Sequence, residues 1–224
     1  MPVATLDCNP HPAFNEEIKD LIDRRLAVEQ LDVPPRNYPG ASPLGVSCSP
    51  ALQDDSPQVP RDKPVSGQIL RIFERGHVLE KMAVNGLRLE GFAVEMTYPA
   101  LWECKSMNAQ SWKQTVEKEL SPGKPIYAVQ SAVYQAYREK TIPVMAQNPA
   151  LVTAVNKDTS EIDPERVAGD AGLAQSASDK AVTILRATQA GETLPRAADP
   201  KYVDCCFCDW QNHYWQDRCR KESL

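Results

Sequence analysis

Apolar positions alternate with polar ones in two distinct rhythms along this chain. In FNEEIKDLIDRRLAVEQL, Ile18, Leu21, Ile22 and Leu26 recur at helical spacing, with Glu16 and Glu17 where a first turn favours acids. The pattern predicts a helix capped by Asn15 and running to about Gln30, before Val33-Pro34-Pro35. Asn37 to Pro60 is rich in proline, glycine and serine and predicts loop. A second helix is expected from about Ser66, carrying Leu70, Phe73, His77 and Lys81, with Gly91 as its stop. The run FAVEMTYPALWECKS then changes to the two-residue period of a strand. Trp112, Val116 and Leu120 predict a helix over Ala109 to Leu120, closed by Ser121-Pro122-Gly123. Pro125 opens another, PIYAVQSAVYQAYREK, because proline is favoured in a first helical turn. ALVTAVNKDTSEI reads as a strand followed by turn signals, and Ala171 to Ala190 as a last amphipathic helix. Strands embedded among helices give an α/β (α+β) class.

Chain length narrows this to one main domain with attachments. The 224 residues suffice to bury a real core. The expected division is a lead-in with its helix over 1–36, a core over 37–200 and a cysteine-rich tail over 201–224. No apolar run reaches the length of a membrane span, and MPVATLDCNPHP has neither a basic start nor an apolar stretch, so a cytoplasmic protein with no membrane partner is expected. The net charge of −5 argues against indiscriminate binding to nucleic acid, but the charge is unevenly spread. Between Arg61 and Lys140 there are 12 basic and 9 acidic residues, which leaves 13 basic and 21 acidic elsewhere. The middle is the basic part. Seven cysteines, an odd number, speak against a disulfide framework; Cys205, Cys206, Cys208 and Cys219 crowd the tail.

The chemistry gathers around ALWECKSMN. On a strand, Leu101, Glu103 and Lys105 share one face, and Trp102 with Cys104 takes the other. A carboxylate and an ammonium therefore project side by side. E-x-K on a strand can be a simple surface ion pair, or one half of a phosphodiester site in which the carboxylate helps hold Mg²⁺ or Mn²⁺ and the lysine steadies developing charge. Downstream, Gln130 and Tyr134 stand four apart on one helix face; upstream, His77 and Glu80 stand three apart in GHVLE, where the imidazole is a candidate metal ligand.

Through NYPGASPLGVSC, SGQILRIFERGHVLEKMAVNGLRLEGF, YPALWECKSMNAQSWKQTVEKEL, KPIYAVQSAVYQAY, NPALVTAVNKDTSEI and the tail residues CCFCDW, the chain resembles the RecB-type branch of the PD-(D/E)XK nucleases, and more closely phage and prophage exonuclease-like proteins related to the nuclease of CRISPR adaptation. The resemblance spans about Asn37 to Trp215. It implies a restriction-endonuclease-like central mixed sheet flanked by helices, and metal-dependent exonucleolytic cleavage of DNA at ends or in single strands. It also implies His77 and Glu103 as ligands of Mg²⁺ or Mn²⁺, Lys105 as catalytic lysine, and Gln130 with Tyr134 near the DNA or the active centre. Phage recombination or replication proteins become the expected protein partners.

Two departures from that pattern stand in the sequence. Relatives place an aspartate in a G-H-x-D-G-like element between the helix and the E-x-K strand, whereas GFAVEMTYPALWECK passes directly from one to the other. A hairpin at Thr97-Tyr98-Pro99 would bring Glu90 opposite Lys105 as a substitute acid; Gly91 as a helix stop would instead leave Glu90 on the helix. In the tail, relatives hold an iron–sulfur cluster through one early and three late cysteines. Cys48, Cys205 and Cys208 match, but Tyr214-Trp215 stands where Cys-Trp is expected, so a [4Fe–4S] cluster requires Cys206 or Cys219. Cys205-x₂-Cys208-x₄-His213-x₅-Cys219 also approaches a zinc knuckle, and a tail without metal is the third alternative. Two functions remain open: a metal-dependent deoxyribonuclease weakened or silenced by the missing acid, and a non-catalytic DNA-binding or regulatory descendant.

Overall fold

The computed structural model describes residues 14–31, 38–55, 62, 65–91, 94, 100–139, 148–195 and 208–210. The order of elements is α1 (Phe14–Leu31), a 3-10 turn (Ser42–Gly45), α2 (Ser49–Asp54), α3 (Gly67–Leu89), β1 (Trp102–Met107), α4 (Ala109–Lys118), α5 (Leu120–Gly123), α6 (Pro125–Glu139), β2 (Ala150–Asn156), β3 (Ile162–Val167) and α7 (Ala171–Ala190). The chain forms two compact units. One consists of Met1–Pro35 with Pro64–Arg75, the other of Arg36–Lys63 with Gly76–Leu224. In the first, the Arg71 guanidinium pairs with the Asp23 carboxylate. Among the described residues no helix is long and apolar enough to cross a membrane.

The class is α+β, with a mixed three-stranded sheet in the order β1-β2-β3 flanked by helices. β1 pairs parallel to β2, which requires a crossover, and α4, α5 and α6 supply it. β2 pairs antiparallel to β3 through the tight turn after Asn156. Buried inside that turn, Asn156 accepts from the Asp158 amide and donates to Glu161. One sheet face, with Met107, Ala150, Val152, Ala154 and Val167, forms the core together with Leu120, and Leu101, Trp112 and Tyr127 pack against it. A second core cluster joins Leu44, Val133 and Ala177, sealing the 3-10 turn against α6 and α7.

Several expectations change. Helix α1 begins at Phe14, one residue before the expected cap. The stretch expected to be loop contains the 3-10 turn and α2, because Pro43 and Pro50 occupy first-turn positions where proline starts a helix. In α4 the buried position is Thr115, whose hydroxyl donates to the Ser111 carbonyl, while Val116 is exposed. The expected stripe assumed continuous helix to Leu120, but Glu119 takes φ 65° and ψ 165° and resets the phase. Phe73 is likewise exposed, unlike Leu70. Gly91, at φ +86°, follows the end of α3 as expected.

Candidate functional site

The E-x-K strand ends directly in a capped helix. The Asn108 side chain accepts from the Ser111 amide at 2.8 Å, and Asp158 accepts from the Ala109 amide at 2.9 Å, so β1 and α4 are fixed at their junction. Register then sets the faces: Glu103 pairs with Val152 and Lys105 with Ala154, both on the core face. Their side chains are only 20% and 16% exposed, and the Lys105 ammonium lies 2.7 Å from Glu103 Oε1.

The crossover helix completes the arrangement. Lys105 Nζ donates to Gln130 Oε1 at 2.7 Å, and Gln130 Nε2 donates to the Tyr134 hydroxyl at 3.3 Å. Gln130 is 3% exposed, so its amide cannot exchange these partners for bulk water. The ring centroid of Tyr127 lies 5.0 Å from Lys105 Nζ, within cation–π range. Tyr127, Gln130 and Tyr134 fall at i, i+3 and i+7 of α6 and share one face. An ammonium has three protons, and two are committed to the carboxylate and the amide. The cluster is thus a recessed ammonium–carboxylate pair of zero formal charge, with one ammonium proton left over from these two contacts.

The remaining candidates fall elsewhere. His77 on α3 is 66% exposed, with Glu80 Oε2 3.9 Å from its Nδ1. Next to it, Gly76 lies against Ser106, which puts this part of α3 on the Cys104 side of β1, opposite the core face that carries Glu103 and Lys105. Glu90 is exposed in the turn that follows α3. The hairpin proposed at Thr97-Tyr98-Pro99 lies outside the described residues. On the reverse face, burial pushes the Cys104 thiol up to about 11, helped by the negative charges of Glu80 and Glu103 and opposed by Lys105. It is a protonated, unreactive thiol near neutral pH.

A hard divalent cation requires oxygen donors, and among the described residues no group of three His, Cys, Asp or Glu side chains could hold one. Among the described residues Glu103 supplies the carboxylate of the cluster, and a divalent cation with so few protein ligands is one that keeps most of its waters. In the tail, Cys48 sits half-buried at the start of α2 and Cys208 is half-buried, while Cys205, Cys206, His213 and Cys219 lie outside the described residues.

Sequence reasoning found Glu103, Lys105, Gln130 and Tyr134, which the fold brings together, but not Tyr127. The signal was its place one helical turn before Gln130, hidden because an aromatic residue on an amphipathic helix ordinarily signals core. Comparison with known proteins gave no match to a family model, to a curated protein or to a solved structure, so the site is read from its own geometry.

Proposed function

We propose that this protein acts on the phosphodiester backbone of DNA, as a metal-dependent exonuclease of the RecB-like PD-(D/E)XK type on a restriction-endonuclease-like fold. One observation carries the reading. Lys105 Nζ meets Gln130 Oε1 at 2.7 Å across 25 residues of chain, so the strand-borne E-x-K and the helix-borne Q-x-x-x-Y form one cluster. A salt-bridged surface strand has no need of a buried glutamine behind its lysine. The parallel β1–β2 pair with its helical crossover is a framework compatible with that fold.

Each residue then has a role. Lys105 places a fixed positive charge where the attacked phosphate gains negative charge, and the preset amide of Gln130 keeps that charge from reorganising during the reaction. Tyr134 fixes the orientation of Gln130 by accepting from its amide nitrogen. Glu103 holds Lys105 through Oε1 and has a second oxygen with which to bind a cation. Mg²⁺ or Mn²⁺, held by Glu103, would supply an activated water and charge neutralisation. In the balanced step a water oxygen bonds to phosphorus, the P–O bond to the leaving nucleotide breaks, and the proton given up by the water is matched by one taken up from solvent by the leaving oxygen.

A second reading, a DNA-binding descendant without turnover, draws support from the same cluster, because Lys105 is already engaged by both Glu103 and Gln130. End-labelled single- and double-stranded DNA incubated with Mg²⁺ or Mn²⁺ separates the two. Metal-dependent shortening that drops by about 10² or more in Lys105→Ala, the size expected for loss of one preorganised charge, supports the nuclease. Retention of labelled DNA without shortening supports the second reading, and neither result would leave DNA as substrate untenable. The tail belongs to this proposal as a [4Fe–4S] or zinc site built on Cys48, Cys205, Cys208 and Cys219. Metal analysis with a visible spectrum of anaerobically prepared protein tests it, and metal-free, colourless protein removes it.

A further inference from the structure

We infer that Tyr127 is a positioning residue for Lys105, its ring holding the ammonium at the height where Glu103 and Gln130 can both reach it. The inference deepens the reading above, since it concerns the lysine assigned there to the phosphate.

Lys105 has a four-carbon stem with many rotamers, and a charge useful to a phosphate must stay in one of them. Glu103 and Gln130 accept two of its protons, and tetrahedral geometry then fixes the direction of the third, but both acceptors lie at the tip and neither confines the stem. The Tyr127 ring lies 5.0 Å from Nζ, and its face carries partial negative charge. Tyr127 is itself held, since it packs against the core cluster of Met107, Leu120 and Val152. The first turn of α6 is fixed as well: the Tyr127 and Ala128 amides donate to the Lys124 carbonyl. The ring is therefore a rigid wall and the lysine the moving part. A ring attracts the ammonium without accepting a conventional hydrogen bond, so the third proton stays available to a phosphate oxygen. A second carboxylate in the ring's place would add to the negative charge Glu103 already brings and repel a phosphate.

The test needs no assumption about the reaction. In the full-length protein, residue-specific rates of reductive methylation are followed by mass spectrometry for Lys105, Lys113 and Lys118 in the wild type, Tyr127→Phe and Tyr127→Leu. In Tyr127→Leu, Lys105 should react about fivefold faster, the ratio matching loss of roughly 1 kcal/mol of cation–π attraction. In Tyr127→Phe, which keeps the ring, it should stay near the wild-type rate, and Lys113 and Lys118 should not change in either variant. An unchanged Lys105 rate in Tyr127→Leu, or equal acceleration in both variants, overturns the inference. A second measurement, on the unaltered protein, covers the case in which Tyr127→Leu does not fold. The Cε protons of Lys105 should resonate upfield of those of exposed lysines through the ring current, and an ordinary shift overturns the inference equally. Should wild-type protein neither cleave nor retain DNA, the function falls while these lysine measurements still decide the role of Tyr127. If it cleaves, Tyr127→Leu should lower kcat with KM little changed and Tyr127→Phe should restore it.

Discussion

Single residues carry both the strain and the electrostatics around the site. Glu119 joins α4 to α5 at φ 65° and ψ 165°, a backbone region that costs a residue with a Cβ about 1–3 kcal/mol and glycine almost nothing. Its side chain is exposed. Glu119→Gly should therefore stabilise the protein by about 1 kcal/mol in chemical denaturation, the entropic cost of glycine having been subtracted. Across the core face, Glu165 accepts from the Leu120 amide at 2.7 Å, yet burial raises its pKa above the ordinary 4.5, with Glu119 and Asp163 adding to the rise. A carboxyl whose pKa is raised on folding binds protons more tightly in the native state. Its contribution to stability is greatest below pH 4.5 and declines as the pH rises through the folded pKa. Glu165→Gln keeps an acceptor for Leu120 and has no charge to bury, so stability measured upward from pH 4.5 should fall less steeply than in the wild type. Of the residues at the site, Glu103 with Lys105 and Gln130 with Tyr134 were legible as pairs because strand and helix periods fix which side chains share a face, whereas the joining of the two pairs was an expectation from motif order and the family resemblance. Tyr127 was not legible, because its role depends on where the strand passes beneath it.

Elements were legible where one periodicity dominates. The helices α3, α6 and α7 and the strand β1 lie where apolar spacing and the Gly91 and Pro125 signals put them. Strand β3 was harder to see. Its sequence IDPERV contains a proline and three charges, tolerable because among the described residues β3 pairs only with β2, which leaves Pro164 at the edge of that sheet. The 3-10 turn was hidden for another reason: its stability comes from outside itself. Leu44 is buried against Val133 and Ala177, and the Lys180 ammonium donates to the Leu44 and Val46 carbonyls. Burial lowers the pKa of that lysine. The turn can approach α6 so closely only because Gly45 has no side chain, as a Cβ there would lie 2.5 Å from Ile126 Cα. Backbone cannot swing away as a side-chain tip can. Gly45→Ala should cost about 1–3 kcal/mol, the range for overpacking, and lower the melting temperature accordingly. An unchanged melt would show that the turn and α6 are not in this contact in solution.

For the molecule as a whole, burial is unevenly shared between its two units. The larger holds the sheet, both core clusters and the candidate site. In the smaller, Leu70 is the buried apolar side chain among the described residues, and Ile22, Val28, Ile69, Ile72 and Phe73 are exposed. Apolar burial is the main term opposing chain entropy, so the two units should differ in local stability far more than their shared helical content suggests. A sequence cannot reveal this, because the apolar stripe of α1 looks like that of any docked helix; only the fold tells which stripes find a partner. Native-state hydrogen exchange reads the difference directly. Amides of β2, whose Val152, Ala154 and Val155 are buried, should open only with global unfolding. Amides in the middle of α1 should exchange at least about 10³-fold faster, a gap of roughly 4 kcal/mol within the ordinary range of domain stability. Equal protection in α1 and β2 would mean that the α1 stripe is covered in solution, and the smaller unit would then be as cooperative as the larger.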